Sequence, residues 1–333
     1  MTTDSSDYRG LPVLVTGGAG FIGSHLVRGL LQAGAKVRVL DNISTGAREN
    51  LKELASAIEF LCADITDLAA CERAADGVAV VFHVAALGSV PGSVDNPVRY
   101  NAVNINGTLN VLQAARKAGV HRVVYSASSS AYGDSPTLPK REDMPAAPKS
   151  PYAIGKFTGE LYTRVYSTLY HLSTISLRYF NVFGPRQNPH SQYAAVIPAF
   201  ISAILRNQPP PIFGDGNQTR DFCHVSNVVR ANLLAGTTRR PLCGQVLNVA
   251  CGQNISLNQL LAKLETLLGR RVEPRRLPAR PGDVRDSLAD ISQARAVLGY
   301  EPVTYFDDGL RQTVPWYADH VLPSAVDRDR ERG

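Results

Sequence analysis

The sequence predicts an α/β fold: a doubly wound, mostly parallel sheet carrying a smaller mixed α/β lobe towards the C-terminus. Three observations lead there. Short apolar runs alternate with helical periods as far as about residue 180, which is the signature of strand–helix–strand units. A glycine turn, Gly17-Gly18-Ala19-Gly20-Phe21-Ile22-Gly23, joins the first apolar run to the first helix. After residue 180 the elements become mixed, and no internal repeat occurs.

The 333 residues, 44% of them hydrophobic, suffice for one large domain over 1–180 and a lobe over 181–323 that is interleaved with it. Residues 324–333 are charged, lack an apolar period and read as a disordered tail. No apolar run of about 18 residues appears, and Met1 to Asp7 lacks the basic and apolar regions of a signal peptide. A cytoplasmic protein without a membrane segment is expected. Cys62, Cys71, Cys223, Cys243 and Cys251 are scattered and form no CxxC pair, so neither a disulfide framework nor a metal site is expected. The net charge is +6, with Arg270, Arg271, Arg275, Arg276, Arg280 and Arg285 crowding one region. No nucleic-acid motif accompanies them, which favours a phosphate-bearing small ligand or a solvated surface over a nucleic acid.

Taken in order, Leu11–Thr16 is a short buried strand, and a helix runs from the glycine turn to about Ala33. Glycines permit a tight turn and let the backbone approach a pyrophosphate, whose charge is met by free N–H groups at the helix N-terminus. This is a Rossmann-type dinucleotide site. The second strand, Lys36–Leu40, ends at Asp41. A carboxylate there hydrogen-bonds ribose hydroxyls and repels a 2′-phosphate, favouring NAD over NADP; otherwise Asp41 is a turn residue. The third strand, Ile58–Cys62, leads to Asp64, which either meets the adenine amino group or caps the helix after Thr66.

Val78–Phe82 is read as the fourth strand, and the loop His83–Pro91, with Ser89, lies beside the cofactor because ligands bind beyond strand carboxyl ends. His83 has no orienting carboxylate nearby and is read as structural. A helix over Asn101–Lys117 carries Asn104 and Asn106, one bonding backbone near the site or both at the surface. The fifth strand, His121–Ser126, runs into Ser128-Ser129-Ser130. The next helix has Ser150 as N-cap and Pro151 at its first position.

Tyr152 and Lys156 share one face of that helix. A cation at about 5 Å in an effective dielectric near 20 favours the phenolate by roughly 3 kcal/mol, lowering a Tyr pKa by about two units. Such a phenol exchanges protons with an alcohol near neutral pH.

Gly17, Gly20, Gly23, Asp41, Asp64, Ser128 and the Tyr152/Lys156 pair, in that order, resemble the extended short-chain dehydrogenase/reductase family of nucleotide-sugar epimerases and dehydratases. The likeness runs from about Pro12 to Tyr317. It implies an NAD site of Gly17, Gly20, Phe21, Ile22, Gly23, Asp41, Asn42, Asp64 and Ile65 with Tyr152 and Lys156, and a catalytic set of Ser128, Tyr152 and Lys156. Dehydratases of the family place an Asp-Glu pair where this chain has Ser129 and Ser130, so an epimerase is favoured.

The resemblance also makes Ser89, Ser128, Ser129, Ser130, Tyr152, Asn181, Gln187, Ala195, Arg220, Arg280 and Ser287 candidates for the sugar nucleotide. Two guanidiniums suit a diphosphate, each offering a planar fork of donors. Ser287 leaves room for an N-acetyl group that a Tyr would crowd. The set is most similar to the bacterial UDP-N-acetylglucosamine 4-epimerases. UDP-glucose or UDP-glucuronate 4-epimerisation, and an NAD-sensing protein without chemistry, are the alternatives. The family likeness implies a homodimer through the helices around 104–117 and 151–170.

Overall fold

The computed structural model describes residues 5–188, 195–278 and 285–321. In its first half, strands β1 (Pro12–Thr16), β2 (Lys36–Asp41), β3 (Ile58–Cys62), β4 (Val80–His83), β5 (Arg122–Ser128) and β6 (Ser173–Tyr179) alternate with helices. These are α1 (Phe21–Gln32), α2 (Leu68–Ala75), α3 (Val90–Asp95), α4 (Pro97–Asn101), α5 (Gly107–Lys117) and α6 (Pro151–Tyr170). The second half holds β7 (Val182–Phe183), α7 (Val196–Leu205), β8 (Pro211–Phe213), β9 (Thr219–Arg220), β10 (Cys223–His224), α8 (Val225–Thr237) and β11 (Cys243–Val249). It closes with β12 (Ile255–Ser256), α9 (Leu257–Leu268), β13 (Arg275–Leu277), α10 (Ser292–Leu298) and α11 (Phe306–Val321).

Seven strands form one parallel sheet in the order β11-β6-β5-β4-β1-β2-β3. The chain leaves β1 first towards β3 and then, by way of β4, towards β11, so the order reverses beside β1. In such a sheet the crevice opens there, beyond the strand carboxyl ends. Both faces of the sheet are covered at its centre, which suits the near-continuous apolar runs of β1 and β4. Val13 and Val15 face one layer with Leu26, Val27 and Phe82, while Leu14 faces the other with Val81, Leu112 and Val123. A separate apolar cluster, including Phe200, Ile204, Leu260 and Leu310, joins α7, α9 and α11 in the lobe. β11 returns to pair with β6, so the later half of the chain contributes to the sheet as well as to the lobe.

Ser150 caps α6 as its position implies, accepting from the Ala153 amide at 3.1 Å, with Pro151 in the first turn. Three boundaries differ from expectation. The fourth strand begins at Val80, because Val78 and Ala79 still belong to the turn leaving α2. The helix after β3 starts at Leu68 and is capped by Asp67, whose carboxylate accepts from Ala69 and Ala70, not by Asp64. The helix expected from Asn101 begins at Pro97, capped by Asn96, and passes through a π turn at Ala102–Asn106 before α5. Polar Asn104 is buried in that turn, and its side chain reaches out of the helix to accept from Leu87 N at 2.9 Å. The stretch after Gly214 forms two short strands, β9 and β10. The expected tail 324–333 lies outside the described residues.

Candidate active site

Two cavities adjoin beyond the strand carboxyl ends, one of about 610 Å³ over β1–β4 and one of about 580 Å³ facing the lobe. Tyr152 lines both, with Ile22, Ser89, Gln187 and Ala195.

The first cavity gathers every residue assigned to the cofactor from sequence: Gly17, Gly20, Phe21, Ile22, Gly23, Asp41, Asn42, Asp64, Ile65, Tyr152 and Lys156. Gly17 has φ +72°, and a Cβ there would lie 2.6 Å from the Ala85 nitrogen; at Gly23 a Cβ would lie 2.0 Å from the Gly17 oxygen. Only glycine fits at either place. Gly20 is the N-cap of α1 and supplies no side-chain cap, so no side chain competes for the first-turn amides. Asp41 accepts from Ala19 N at 2.8 Å and from Ile43 N at 2.7 Å, so it orders the turn and lines the cavity at once. Asp64 accepts from the Thr66 amide and hydroxyl, both at 2.8 Å, and from Asn42 Nδ2 at 2.6 Å. Burial opposes ionisation of Asp64, yet these donors hold its carboxyl below the usual range. A side-chain-free turn, an uncapped helix start and a carboxylate at the end of β2 fit a dinucleotide with unmodified ribose hydroxyls.

His83 is structural, as its surroundings suggested. Its Nδ1 lies 2.8 Å from Thr16 Oγ1 and its Nε2 3.0 Å from Thr108 Oγ1. Burial, helped by the Lys156 charge, pushes it down to about 3, so the ring is neutral. Asn104 brackets Leu87, accepting from its amide and donating to its carbonyl at 2.9 and 3.0 Å, and so fixes the loop under the cavity. Asn106 is exposed.

At the shared wall the electrostatics differ from the expectation of a Tyr made acidic by Lys156. Burial holds the Tyr152 phenol above its ordinary value, and the group that opposes burial is the Ser128 hydroxyl. Lys156 is turned to the sheet: Nζ donates to Ser126 O at 2.8 Å and lies 5.2 Å from the centre of the Tyr125 ring. Burial draws the ammonium down to about 8, so it stays largely charged at neutral pH. Ser128 Oγ accepts from both the Ser130 amide, at 3.2 Å, and the Ser130 hydroxyl, at 2.9 Å. With both lone pairs engaged, its remaining capacity is to donate.

The second cavity brings together Ser89, Ser128, Ser129, Ser130, Tyr152, Asn181, Gln187, Ala195, Arg220 and Ser287. Asn181, at φ +32°, donates to Asp221 O at 3.2 Å and to Ser287 Oγ at 3.4 Å. Gln187 donates to Val182 O at 3.1 Å. Arg220 is propped by bonds to the Thr219 and Arg285 carbonyls at 2.9 and 3.0 Å. Ser287 N donates to Thr219 O at 3.1 Å, which sets the Ser287 segment beside β9. Arg280 lies outside the described residues.

Sequence reasoning passed over three residues. Lys140, buried, lines the second cavity; its ammonium donates to Ser135 O and its backbone bonds to Leu288 and Asp290. Nothing in its local sequence marks it. Asp221, wholly buried, accepts from Cys251 N and Gly252 N at 3.0 Å and Ala289 N at 3.1 Å, tying the Arg220 and Ser287 segments to the end of β11. Glu160 stands four residues beyond Lys156, a spacing legible in the sequence, and pairs with Arg178 in the interior. Among the described residues no cluster of metal-ligating side chains occurs, and no helix is long and apolar enough to cross a membrane.

The model of the NAD dependent epimerase/dehydratase family matches residues 13–250. A UDP-glucose 4-epimerase of Mycolicibacterium smegmatis is 42% identical over 308 residues, covering 91% of this chain and 97% of its own. Among solved structures, the UDP-N-acetylglucosamine 4-epimerase of Methanobrevibacter ruminantium, in complex with UDP-N-acetylmuramic acid, superposes with a TM-score of 0.89 at 41% identity, covering 93% of this chain and 99% of that one. The UDP-glucose 4-epimerase of Thermus thermophilus, in complex with NAD, gives 0.85 at 36% identity, covering 93% of this chain and 100% of that one. With a glycine turn that admits no side chain and relatives matched along almost their full length, the chain belongs to the NAD-dependent epimerase/dehydratase family.

Proposed function

We propose that the chain is a UDP-sugar 4-epimerase whose preferred pair is UDP-N-acetylglucosamine and UDP-N-acetylgalactosamine. The observation that carries this reading is that Tyr152 lines both cavities, so one acid–base group faces a dinucleotide on one side and a sugar on the other. The chemistry supplied by bound NAD is reversible uptake of hydride from C4, which leaves a 4-keto sugar between the two transfers. Gly17, Gly20 and Gly23 hold its pyrophosphate, Asp41 its ribose hydroxyls, and Lys156 its second ribose.

Burial alone keeps Tyr152 a neutral phenol, and the positive charge that oxidised NAD would bring, beside that of Lys156, favours its phenolate. As phenolate, Tyr152 takes the proton of the 4-hydroxyl and gives it back at the same oxygen. Ser128, able only to donate, gives its one hydrogen bond to the phenolate and so stabilises it. Arg220 grips the diphosphate, and with the described wall residues Ala195 and Ser287 small, the pyranose turns while its nucleotide stays anchored. Ser129 and Ser130 offer hydroxyls where elimination of water needs a further acid and base, which disfavours a dehydratase. Ser287, with Asn181 bonded to its oxygen, presents a small wall compatible with an acetamido group. One observation favours a second reading: the buried Lys140 ammonium in the same cavity suits a carboxylated hexose.

A cytoplasmic homodimer is part of the proposal. Ile154, Leu161, Val165 and Leu169 leave an exposed apolar stripe along α6, close to exposed Val94 and Val98. A second copy would cover it.

Purified protein incubated with UDP-N-acetylglucosamine, UDP-glucose and UDP-glucuronate is expected to invert C4 of the sugar, with the highest kcat/KM for the acetylated substrate. A higher value for the uronate would move the reading to Lys140. No inversion of any of the three would overturn it.

A further inference from the structure

The face of α6 that carries Tyr152 and Lys156 continues, at the same four-residue step, to Glu160. Its carboxylate is almost wholly inside the protein, with 3% of the side chain exposed, and so is the Arg178 guanidinium from β6, at 4%. Arg178 Nε donates to Glu160 Oε1 at 2.9 Å and Nη2 to Oε2 at 2.7 Å, a two-pronged pair that fixes the orientation of the carboxylate. On its far side the guanidinium lies 4.5 Å from the centre of the Tyr132 ring. Such a pair is a costly feature, since two well-packed apolar side chains commonly do as well for stability.

The geometry points to Glu160 as a positioning residue for Lys156: backed by Arg178, it supplies the buried counter-charge that keeps the Lys156 ammonium charged in the cleft, and thereby sets the alkaline edge of turnover. The inference rests on the reading of Tyr152 and Lys156 as the working pair. Lys156 is 5% exposed, and the partners of its ammonium are the Ser126 carbonyl and the Tyr125 ring. A carbonyl and a ring do not balance a full charge taken out of water.

The other charged or titratable groups around this cluster do not serve. His83, on β4, is neutral. Tyr125, on β5, donates its phenol proton to Lys156 O at 3.2 Å and is pushed well above its ordinary range by burial. Tyr132 is raised by burial to about 12. Tyr152 is likewise raised, and Arg164 and Arg178 are cations. Glu142 lies near Tyr132 and Arg178 and accepts from the Asn248 amide at 2.7 Å; Glu160 is the carboxylate that acts on Lys156, its attraction opposing the burial that draws the ammonium down. Burial raises Glu160 above the usual carboxylate range, and Arg178 offsets part of this.

The test compares wild type with Glu160→Gln and with Glu160→Gln/Arg178→Met, the double variant avoiding an unbalanced buried guanidinium. Titration of Lys156 is followed by NMR on protein carrying isotopically labelled lysine, with Lys156→Arg identifying the signal, and kcat is measured across the same pH range. The Lys156 midpoint is expected to fall by about one pH unit or more in Glu160→Gln and by less in the double variant, which also loses a buried cation, with the alkaline limb of kcat following it. A midpoint that moves in neither folded variant overturns the inference, as does a loss of kcat that is uniform with pH. A moved midpoint in a chain that inverts no UDP-sugar upholds the counter-charge and overturns the function instead.

Discussion

The two cavities that meet at Tyr152 are built by opposite means. Most walls of the first are turns that directly follow β1, β2, β3 and β4, each within a few residues of the strand that places it, with Tyr152 and Lys156 added from α6. Their shape follows largely from local chain geometry, such as the approach of Gly23 to the Gly17 carbonyl. The second is assembled from segments far apart in the chain, around Ser128, Lys140, Asn181, Arg220 and Ser287. What holds these is a set of buried polar side chains. Asp221 binds three backbone amides, Asn248 donates to the carbonyls of Lys140 and Asp290 at 2.9 and 3.0 Å, and Asn227 binds the backbone at Val303 and Thr304. The difference predicts a rigid cofactor side and a sugar side whose grip depends on long-range contacts.

Replacing the shared residue has the largest expected effect while leaving both sides standing. Tyr152→Phe should lower kcat by about 10²- to 10⁴-fold, with bound NAD and UDP affinity retained. Loss of NAD together with turnover would show that the two sides are not separately built. Next in size is a change confined to the first side. In Gly23→Val the added carbons collide with the Gly17 carbonyl, and overpacking of this kind costs about 1–3 kcal/mol. NAD content and Tm should fall, and UDP affinity measured by calorimetry should change far less.

On the sugar side the corresponding change is Asp221→Asn. An amide in that place presents a donor to at least one buried N–H, leaving it unpaired at a cost of about 1–3 kcal/mol. The Arg220 and Ser287 segments then loosen. KM should rise about tenfold, equivalent to about 1.4 kcal/mol, with a smaller change in kcat and none in NAD content. A pure loss of kcat at constant KM would contradict the role of Asp221 in holding the cavity wall.

The same contrast explains what could be read from the chain alone. The Gly17–Gly23 turn, Asp41 and the α6 start at Ser150-Pro151 are local signals, and each stands where the sequence put it. Glu160 announced itself by its spacing from Lys156, but the partner that gives it meaning is on β6 and only the fold brings it near. Asp221 and Lys140 carry no local signal, because their effect comes from bonds to residues distant in the chain, Cys251 and Ala289 for Asp221 and Leu288 and Asp290 for Lys140. The Tyr152 phenol shows the limit of spacing arguments. Two side chains on one helix face need not point at each other, and here the Lys156 ammonium bonds the sheet while burial dominates the phenol.

The smallest effect expected is one of pH on stability, and it again separates the two sides. His83, among the cofactor-side strands, and His224, capping α8 beside the lobe ring of Phe183, are both buried and neutral. Burial lowers His83 from 6.5 to about 3 and His224 to about 4. Below pH 6.5 the unfolded chain binds protons that the folded one refuses. The stability from each neutral ring is therefore fully present above 6.5 and is lost as pH falls, at up to about 1.4 kcal/mol per unit for each ring. His83→Asn should flatten the acid slope of Tm down to about pH 3, whereas His224→Asn should flatten it only to about pH 4. Equal windows for the two variants would mean that the two rings are equally disfavoured as cations, so that the Lys156 charge beside His83 adds nothing to its burial.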